Sequence, residues 1–389
     1  MSEPTTSGTT SWDDWAAARP RGATLHLDSA SAGRSSAAVL DAVAAHLRAE
    51  ARDGGYVAAE HAAPVVEQAR ADTAALLGTD AAGVAFVESA TAALDVLLDV
   101  WPLPEHARVG TTASSWGPNV ELVEHRGHRP ELLPVDDLGV LDLDTLEVRL
   151  RQDPPDVLLL DLVAAHRGLV QPAREAVEVA HAHGVAVWVD AAQGIGHVDA
   201  TSGADASLAT SRKWLTGPRG VGMVAVAPSW RDRLRVRPLA KQPGSTPVQR
   251  LESGEAHVAG RVGLGVALRE LHDLGPARVH ARLAEVGARV REAVAGLPGW
   301  EVVLPQAPAG ALTAVAPTAG QDVVAVQARL LHDHGVLTTV CLPWRAPSDD
   351  AVAAWPVLRV SPHLDLSDDD LERLVAGLLA AGPDRGARP

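Results

Sequence analysis

The chain has 389 residues, 47% hydrophobic and 21% charged, which suits a globular protein but is too long for one ordinary core. Its formal net charge is −15 with no cluster of Lys or Arg, which argues against a nucleic-acid partner, and no apolar run approaches the roughly 20 residues of a membrane span. A single cysteine, Cys341, excludes an internal disulfide and a cysteine zinc cage, and MSEPTTSGTTSWDDW has neither the basic start nor the apolar stretch of a signal peptide, so the cytoplasm is the expected compartment.

Residues 1–21 read as a flexible arm. Apolar positions at helical spacing predict a helix over 35–50, with a Ser pair where an N-cap belongs, and another over 62–78, stopped by Gly78. VAFVESATAALDVLLDVW then reads as a short strand, a small-residue turn and a helix. Strand-like runs follow at 107–112, 157–162, 185–190, 205–209 and 221–227, with helical patterns between several of them, such as 173–183. Buried apolar strands alternating with helices predict an α/β fold with a mainly parallel sheet. The rhythm breaks at RPLAKQPGSTPVQR (237–250), a loop between domains. A long helix over about 257–274 follows, then alternating strands and helices and a polar tail. The expected organisation is an arm (1–21), a large domain (22–245), a smaller C-terminal α+β domain (246–384) and a tail (385–389).

The basic residues are almost all arginine; the only lysines are Lys213 and Lys241. An arginine guanidinium stays protonated and forms no stable imine, so chemistry needing an amine nucleophile has two candidates. Three segments bear on the choice. Glu88-Ser89-Ala90-Thr91 is a strand-to-helix turn of small residues, where backbone N–H groups and a hydroxyl can approach an anion. VWVDAAQGIGH (187–197) ends a buried strand on Asp190, the end at which open α/β sheets bind ligands, although an ordinary strand end reads the same way. TSRKWLTGPRGVGMVAV (210–226) sets Lys213 between small hydroxyl residues and a Gly/Pro turn, flanked by apolar strands; a buried amine there is nucleophilic.

Together these segments resemble the aminotransferase class V family of pyridoxal-5′-phosphate (PLP) enzymes, from LHLDSASAG (25–33) to LRVSPHLDLS (358–367). The resemblance implies a fold type I architecture, PLP as cofactor, no metal, a small amino-acid substrate and a homodimer. It implies that Lys213 forms the Schiff base with the cofactor and moves the substrate Cα proton. Asp190 would pair with the pyridine nitrogen and Gln193 with the phenolic oxygen. Ser89, Ala90, Thr91 and Thr210 would hold the phosphate, and Trp116 would stack on the ring. Arg359 would grip the substrate carboxylate, and Ser31 would also contact the substrate. Three positions depart from the family pattern. Arg212 stands where a histidine usually precedes the lysine, though it could still reach the phosphate. Ala165 stands for an asparagine that usually bonds the cofactor, a role that is missing here or passes to His166. Gly254-Glu255 replaces a Gly-Thr that reaches the neighbouring subunit's phosphate, and a glutamate repels phosphate.

Within the family, GGYVAAEHA (54–62), FVESATAALDVLL (86–98) and ATSRKWLTGPRGVG (209–222) most resemble the lyases that act on hercynylcysteine sulfoxide in ergothioneine biosynthesis. That likeness implies β-elimination, with pyruvate and ammonia as products. Tyr56 and Trp344 are candidates for a pocket around the substrate's trimethylammonium, or else ordinary packing residues. A cysteine desulfurase, an isopenicillin-epimerase-like enzyme and a non-catalytic PLP-fold binding protein remain as alternatives. The first needs an exposed thiolate, which Cys341, in LTTVCLPWRAP, either supplies or, as a buried cysteine, does not. The last predicts decay at Lys213 or Asp190, and both are present.

Overall fold

The computed structural model describes residues 11–235, 245–304, 310–349 and 355–381; Lys241, most of the 237–250 loop and the tail lie outside them. In chain order, α1 (Trp12–Ala17) and β1 (Leu25–His26) lead into α2 (Ala37–Asp53) and α3 (Gly55–Leu77). The central stretch is β2 (Val84–Val87), α4 (Ala90–Val100), β3 (Arg108–Thr111), α5 (Gly117–His125), β4 (Arg129–Leu132), α6 (Leu143–Gln152), β5 (Val157–Asp161), α7 (Ala173–Ala182), β6 (Ala186–Asp190), β7 (Ala206–Thr210) and β8 (Gly222–Val226). The C-terminal part is α8 (Val258–Leu274), α9 (Pro276–Val294), β9 (Trp300–Val302), β10 (Thr313–Pro317), α10 (Val323–His334), β11 (Val336–Leu337), β12 (Thr339–Cys341), β13 (Val357–Val360) and α11 (Asp368–Ala380).

Strands β2 to β8 form one seven-stranded sheet in the order β2-β8-β7-β6-β5-β3-β4. Strands β3 to β7 pair in parallel, and β8 runs antiparallel to both its neighbours, β7 and β2. Every residue of β5, β6, β7 and β8 is buried, because helices cover both faces of the sheet. Alternation along the strands divides the core. Leu158, Leu160, Val187 and Val189 pack towards α7, through Ala173, Ala176 and Val177. Val157, Leu159 and Trp188 pack towards α4, through Ala93, Leu94 and Leu97. The sheet order, with a smaller C-terminal part built on the antiparallel sheet β12-β13-β10-β9, agrees with the α/β architecture expected from the sequence.

The sequence-predicted elements match closely in the sheet and differ at the periphery. Helix α2 is capped by Ser36, the second of the expected Ser pair. Helix α3 begins seven residues before the predicted 62, because Gly54 at φ +92° makes the turn from α2 and the helix runs through GYVAAEH. The expected flexible arm is ordered from residue 11. Ser11 caps α1 in a capping box, Trp15 is buried and stacks on His363 with centroids 4.5 Å apart, and Arg19 pairs with Glu270 at 2.8 Å. Residues 25–28, expected within the large domain, join the C-terminal strands: β1 pairs in parallel with β11, and Asp28 bridges to Ser361. That crossing draws the segment around Ser31 over the sheet's C-terminal edge.

Candidate active site

The parallel strands β5 and β6 both end on a carboxylate. In VLLLD and VWVD the buried apolar residues fix the strand, and the acid is the first residue free to face the open edge. Asp161 and Asp190 are register partners, 3% and 7% exposed, and line one cleft. Asp190 accepts hydrogen bonds from the Ala192 N–H (2.8 Å) and the Asn119 amide (2.7 Å). Asp161 accepts one, from the Trp116 N–H at 2.9 Å, and its Oδ1 is buried without a partner. Burial raises the pKa of both acids, and the Asp190 charge pushes Asp161 further, well above the ordinary carboxylate range. With two donors against one, and with Lys213 opposing its shift first among the groups nearby, Asp190 is the more acidic member and Asp161 the one held towards its neutral form.

Lys213 follows β7 and faces the same cleft. Its side chain is half-buried in the cleft, and desolvation lowers the amine pKa from 10.5 to about 8; the Asp190 charge opposes the shift, while Arg212 and Arg359 add to it. The backbone around it is clamped: the Gly33 N–H donates to the Arg212 carbonyl at 2.8 Å, and a Cβ on Gly33 would lie 2.3 Å from the Lys213 carbonyl oxygen. Next along the chain, the Trp214 indole stacks on His197 and donates to the Gln193 side-chain oxygen at 2.9 Å. This orients the Gln193 amide nitrogen towards the Ala30 carbonyl (2.9 Å) and the cleft.

The other end of the cleft is built for an anion. Ser89 caps α4 through the Ala92 N–H at 3.0 Å, which leaves the amides of Ala90 and Thr91 at the helix N-terminus. Strand β8 brings Thr210 beside that turn, since Gly222 pairs with both Val87 and Thr210. A Cβ at Gly222 would sit 2.3 Å from the Ser89 carbonyl carbon, so only glycine permits the approach. Thr210 and Arg212 complete the lining.

The cleft therefore offers an amine of lowered pKa, a buried carboxylate pair, an oriented amide, an indole wall at Trp116 and a phosphate-sized anion cradle. The aminotransferase class V family matches residues 25–374. The chain belongs to that family. It is 44% identical, over 95% of its length and 93% of the relative's, to a Mycobacterium tuberculosis protein named "Probable hercynylcysteine sulfoxide lyase". Its fold matches the cysteine desulfurase CsdA from Escherichia coli with a TM-score of 0.82 at 20% identity, covering 95% of this chain and 98% of that one. A cystine C–S lyase in complex with cysteine persulfide also gives 0.82, at 18% identity, covering 93% and 99%. PLP is the cofactor, and the protein is a PLP-dependent carbon–sulfur lyase.

The residues present fit PLP. The orphan amides and hydroxyls suit its phosphate, the carboxylate pair suits a protonated ring nitrogen, and Lys213 suits its aldehyde. Of the residues singled out from the sequence, Ser89, Ala90, Thr91, Trp116, Asp190, Gln193, Thr210, Arg212 and Lys213 line this one cleft. Arg359, on β13, is 1% exposed and bonds Ser31 Oγ at 2.5 Å, Asp28 at 3.2 Å and the Ala165 carbonyl at 2.7 Å, so Ser31 and Arg359 meet. Tyr56 does not join them: it is 92% exposed at the start of α3. His166 does not stand in for the asparagine that Ala165 replaces, because its ring is committed to Asp349 at 2.6 Å and stacks on Trp355. Gly254 and Glu255 are exposed. Cys341 is wholly buried on β12 among Ala314, Ala316 and Val357, and burial pushes its thiol pKa up.

Two residues of the site escaped the sequence reading. Asp161 carries the same signal as Asp190, an acid ending a buried apolar run. Asn119 lies one helical turn after Trp116, a spacing that puts both at the N-terminus of α5.

Proposed function

We propose that the chain cleaves the Cβ–S bond of hercynylcysteine sulfoxide by β-elimination, releasing a sulfenate, pyruvate and ammonia on the route to ergothioneine. The observation that carries this reading is the burial of Cys341, the chain's single cysteine. With its thiol at 0% exposure and its pKa raised, it is a poor sulfur acceptor, so the sulfur must depart with its own substituent. A sulfoxide allows that, because a sulfenate is a far better leaving group than a thiolate. The relative's 44% identity supports the same substrate.

Bound PLP supplies an electron sink for the pair left at Cα when its proton departs. Asp190 would pair with its ring nitrogen and Gln193 with its phenolic oxygen. The Ser89–Thr91 turn, Thr210 and Arg212 would hold its phosphate, and Trp116 would cover its ring face. Lys213, as a neutral amine, would be the base that takes the Cα proton; a pKa near 8 leaves a usable neutral fraction at pH 7. Arg359 turns from Asp28 towards the substrate carboxylate, with Ser31 beside it. Loss of the sulfenate leaves a three-carbon enamine that hydrolyses to pyruvate and ammonia, and an external thiol reduces the sulfenate.

We also place the protein in the cytoplasm, as a homodimer through the face that exposes Leu40, Leu47, Tyr56 and Val57. The deciding experiment compares pyruvate release from hercynylcysteine sulfoxide and from cysteine. Turnover of the sulfoxide is expected; persulfide formation from cysteine with no sulfoxide cleavage would make the protein a desulfurase.

A further inference from the structure

We propose that Arg345 forms a second carboxylate subsite at the cleft mouth, selecting cysteine sulfoxides whose sulfur substituent itself bears a carboxylate. The inference rests on the lyase reading above and concerns which sulfoxides the site takes.

Arg345 closes the short turn Pro343–Arg345 that follows β12. It is half-buried, its Nε is fully buried without a hydrogen-bond partner, and no carboxylate pairs with it among the described residues. The fully buried arginines among the described residues are all matched: Arg19 with Glu270, Arg70 with Glu252, Arg167 with Asp349 and Arg359 with Asp28. Desolvating a cation without a counter-ion is unfavourable, and a site that keeps one is prepared to receive an anion.

The guanidinium is also aimed. Its carbon lies 5.6 Å from the ring centroid of Trp116, which walls the cleft, and 5.1 Å from that of Trp344. The two indoles meet edge to face at 5.5 Å. The turn is held against α5, because Gly117 has no side chain: a Cβ there would lie 2.2 Å from the Trp344 carbonyl oxygen. Arg345 and Arg359 sense one another's charge, and Arg359 in turn acts on the Lys213 amine, so two cations stand together near the cleft. Arg359 is already bonded to Asp28, Ser31 and Ala165 and is placed for the α-carboxylate. Arg345 has no such commitment and stands behind Trp116, the wall that a sulfur substituent extending from the cleft on this side would meet. A guanidinium pairs with a carboxylate through two parallel N–H bonds, and half-burial strengthens them. The betaine carboxylate of hercynylcysteine sulfoxide is one such group; free cysteine has none.

The test uses the holoenzyme and two substrates of the same carbon-chain length, S-(3-carboxypropyl)cysteine sulfoxide and S-butylcysteine sulfoxide, with wild type, Arg345→Gln and Arg345→Lys. Wild type should favour the carboxylated substrate in kcat/KM by roughly ten-fold or more. Arg345→Gln should erase that preference through KM, with kcat and the butyl substrate unaffected, and Arg345→Lys should restore part of it. The same preference should appear in binding, read as a change in the holoenzyme's visible absorbance, whether or not either compound is cleaved. Equal handling of the two sulfoxides by wild type, or equal losses on both in Arg345→Gln, overturns the subsite. Cleavage of both model sulfoxides with no turnover of hercynylcysteine sulfoxide would refute the assigned substrate and leave the subsite standing.

Discussion

The fold alters the behaviour of the Lys213 amine in a way that titration can read. Burial takes its pKa from 10.5 to about 8, which corresponds to roughly 3 kcal/mol against the charged form, an upper figure because water in the cleft screens part of it. At pH 7 about a tenth of the amines are then neutral, roughly 300 times more than for an unperturbed lysine. The rate at which the apoenzyme forms its imine with added PLP should therefore rise tenfold per pH unit below 8 and level off above it. Stopped-flow absorbance from pH 6 to 10 reads this directly. The stability effect has a definite sign. Between about 8 and 10.5 the unfolded chain holds the proton that the folded chain has lost, so apoenzyme stability gains from rising pH across that window. Lys213→Met should lack that gain, visible as a flatter denaturation midpoint between pH 8 and 10.5. An imine rate still climbing at pH 10, or identical slopes for the two proteins, would falsify the assignment of a desolvated amine.

Three further outcomes are expected. Asp161→Asn, which replaces an acid held towards its neutral form by a neutral isostere, should leave PLP affinity within about three-fold, whereas Asp190→Asn should weaken it at least ten-fold; equilibrium dialysis distinguishes them, and equal losses would mean that Asp161 is ionised. Gly222→Ala drives a methyl into the Ser89 backbone, so PLP affinity and melting temperature should fall together, by about 1–3 kcal/mol in stability. Cys341→Ser buries a hydroxyl among alanines and valine and should lower stability by about 1–3 kcal/mol in a thermal melt, with sulfoxide cleavage in the folded enzyme retained; abolished turnover in a folded variant would restore a role for the thiol.

Much of this was legible in the chain itself. Strands β5 to β8 were readable because a sheet covered on both faces needs uninterrupted apolar runs, and its catalytic edge because Asp190 and Lys213 interrupt that pattern at a strand end. Lys213 stood out chemically, since arginine cannot replace an amine that must form an imine. The turn at Ser89 was readable from its small residues, because a backbone that must meet an anion tolerates little else.

Contacts between distant segments were not legible. Nothing local in VLLLD shows that Asp161 lies beside Asp190 and is held towards its neutral form there, since that follows from the register of two strands. The arm looked polar and free, yet Trp15 is buried against His363, more than 300 residues away in sequence. Tyr56, preceded by two glycines, looked suited to a pocket, but the turn at Gly54 directs it to solvent. Cys341 and Arg345 are four residues apart in the same segment; tertiary packing buried the thiol and left the guanidinium unpaired beside Trp116. The sequence by itself determined which residues could do chemistry, because that depends on functional groups and local backbone. The tertiary structure decided which of them meet and which stay charged, because burial and Coulomb interactions depend on neighbours that the chain order does not contain.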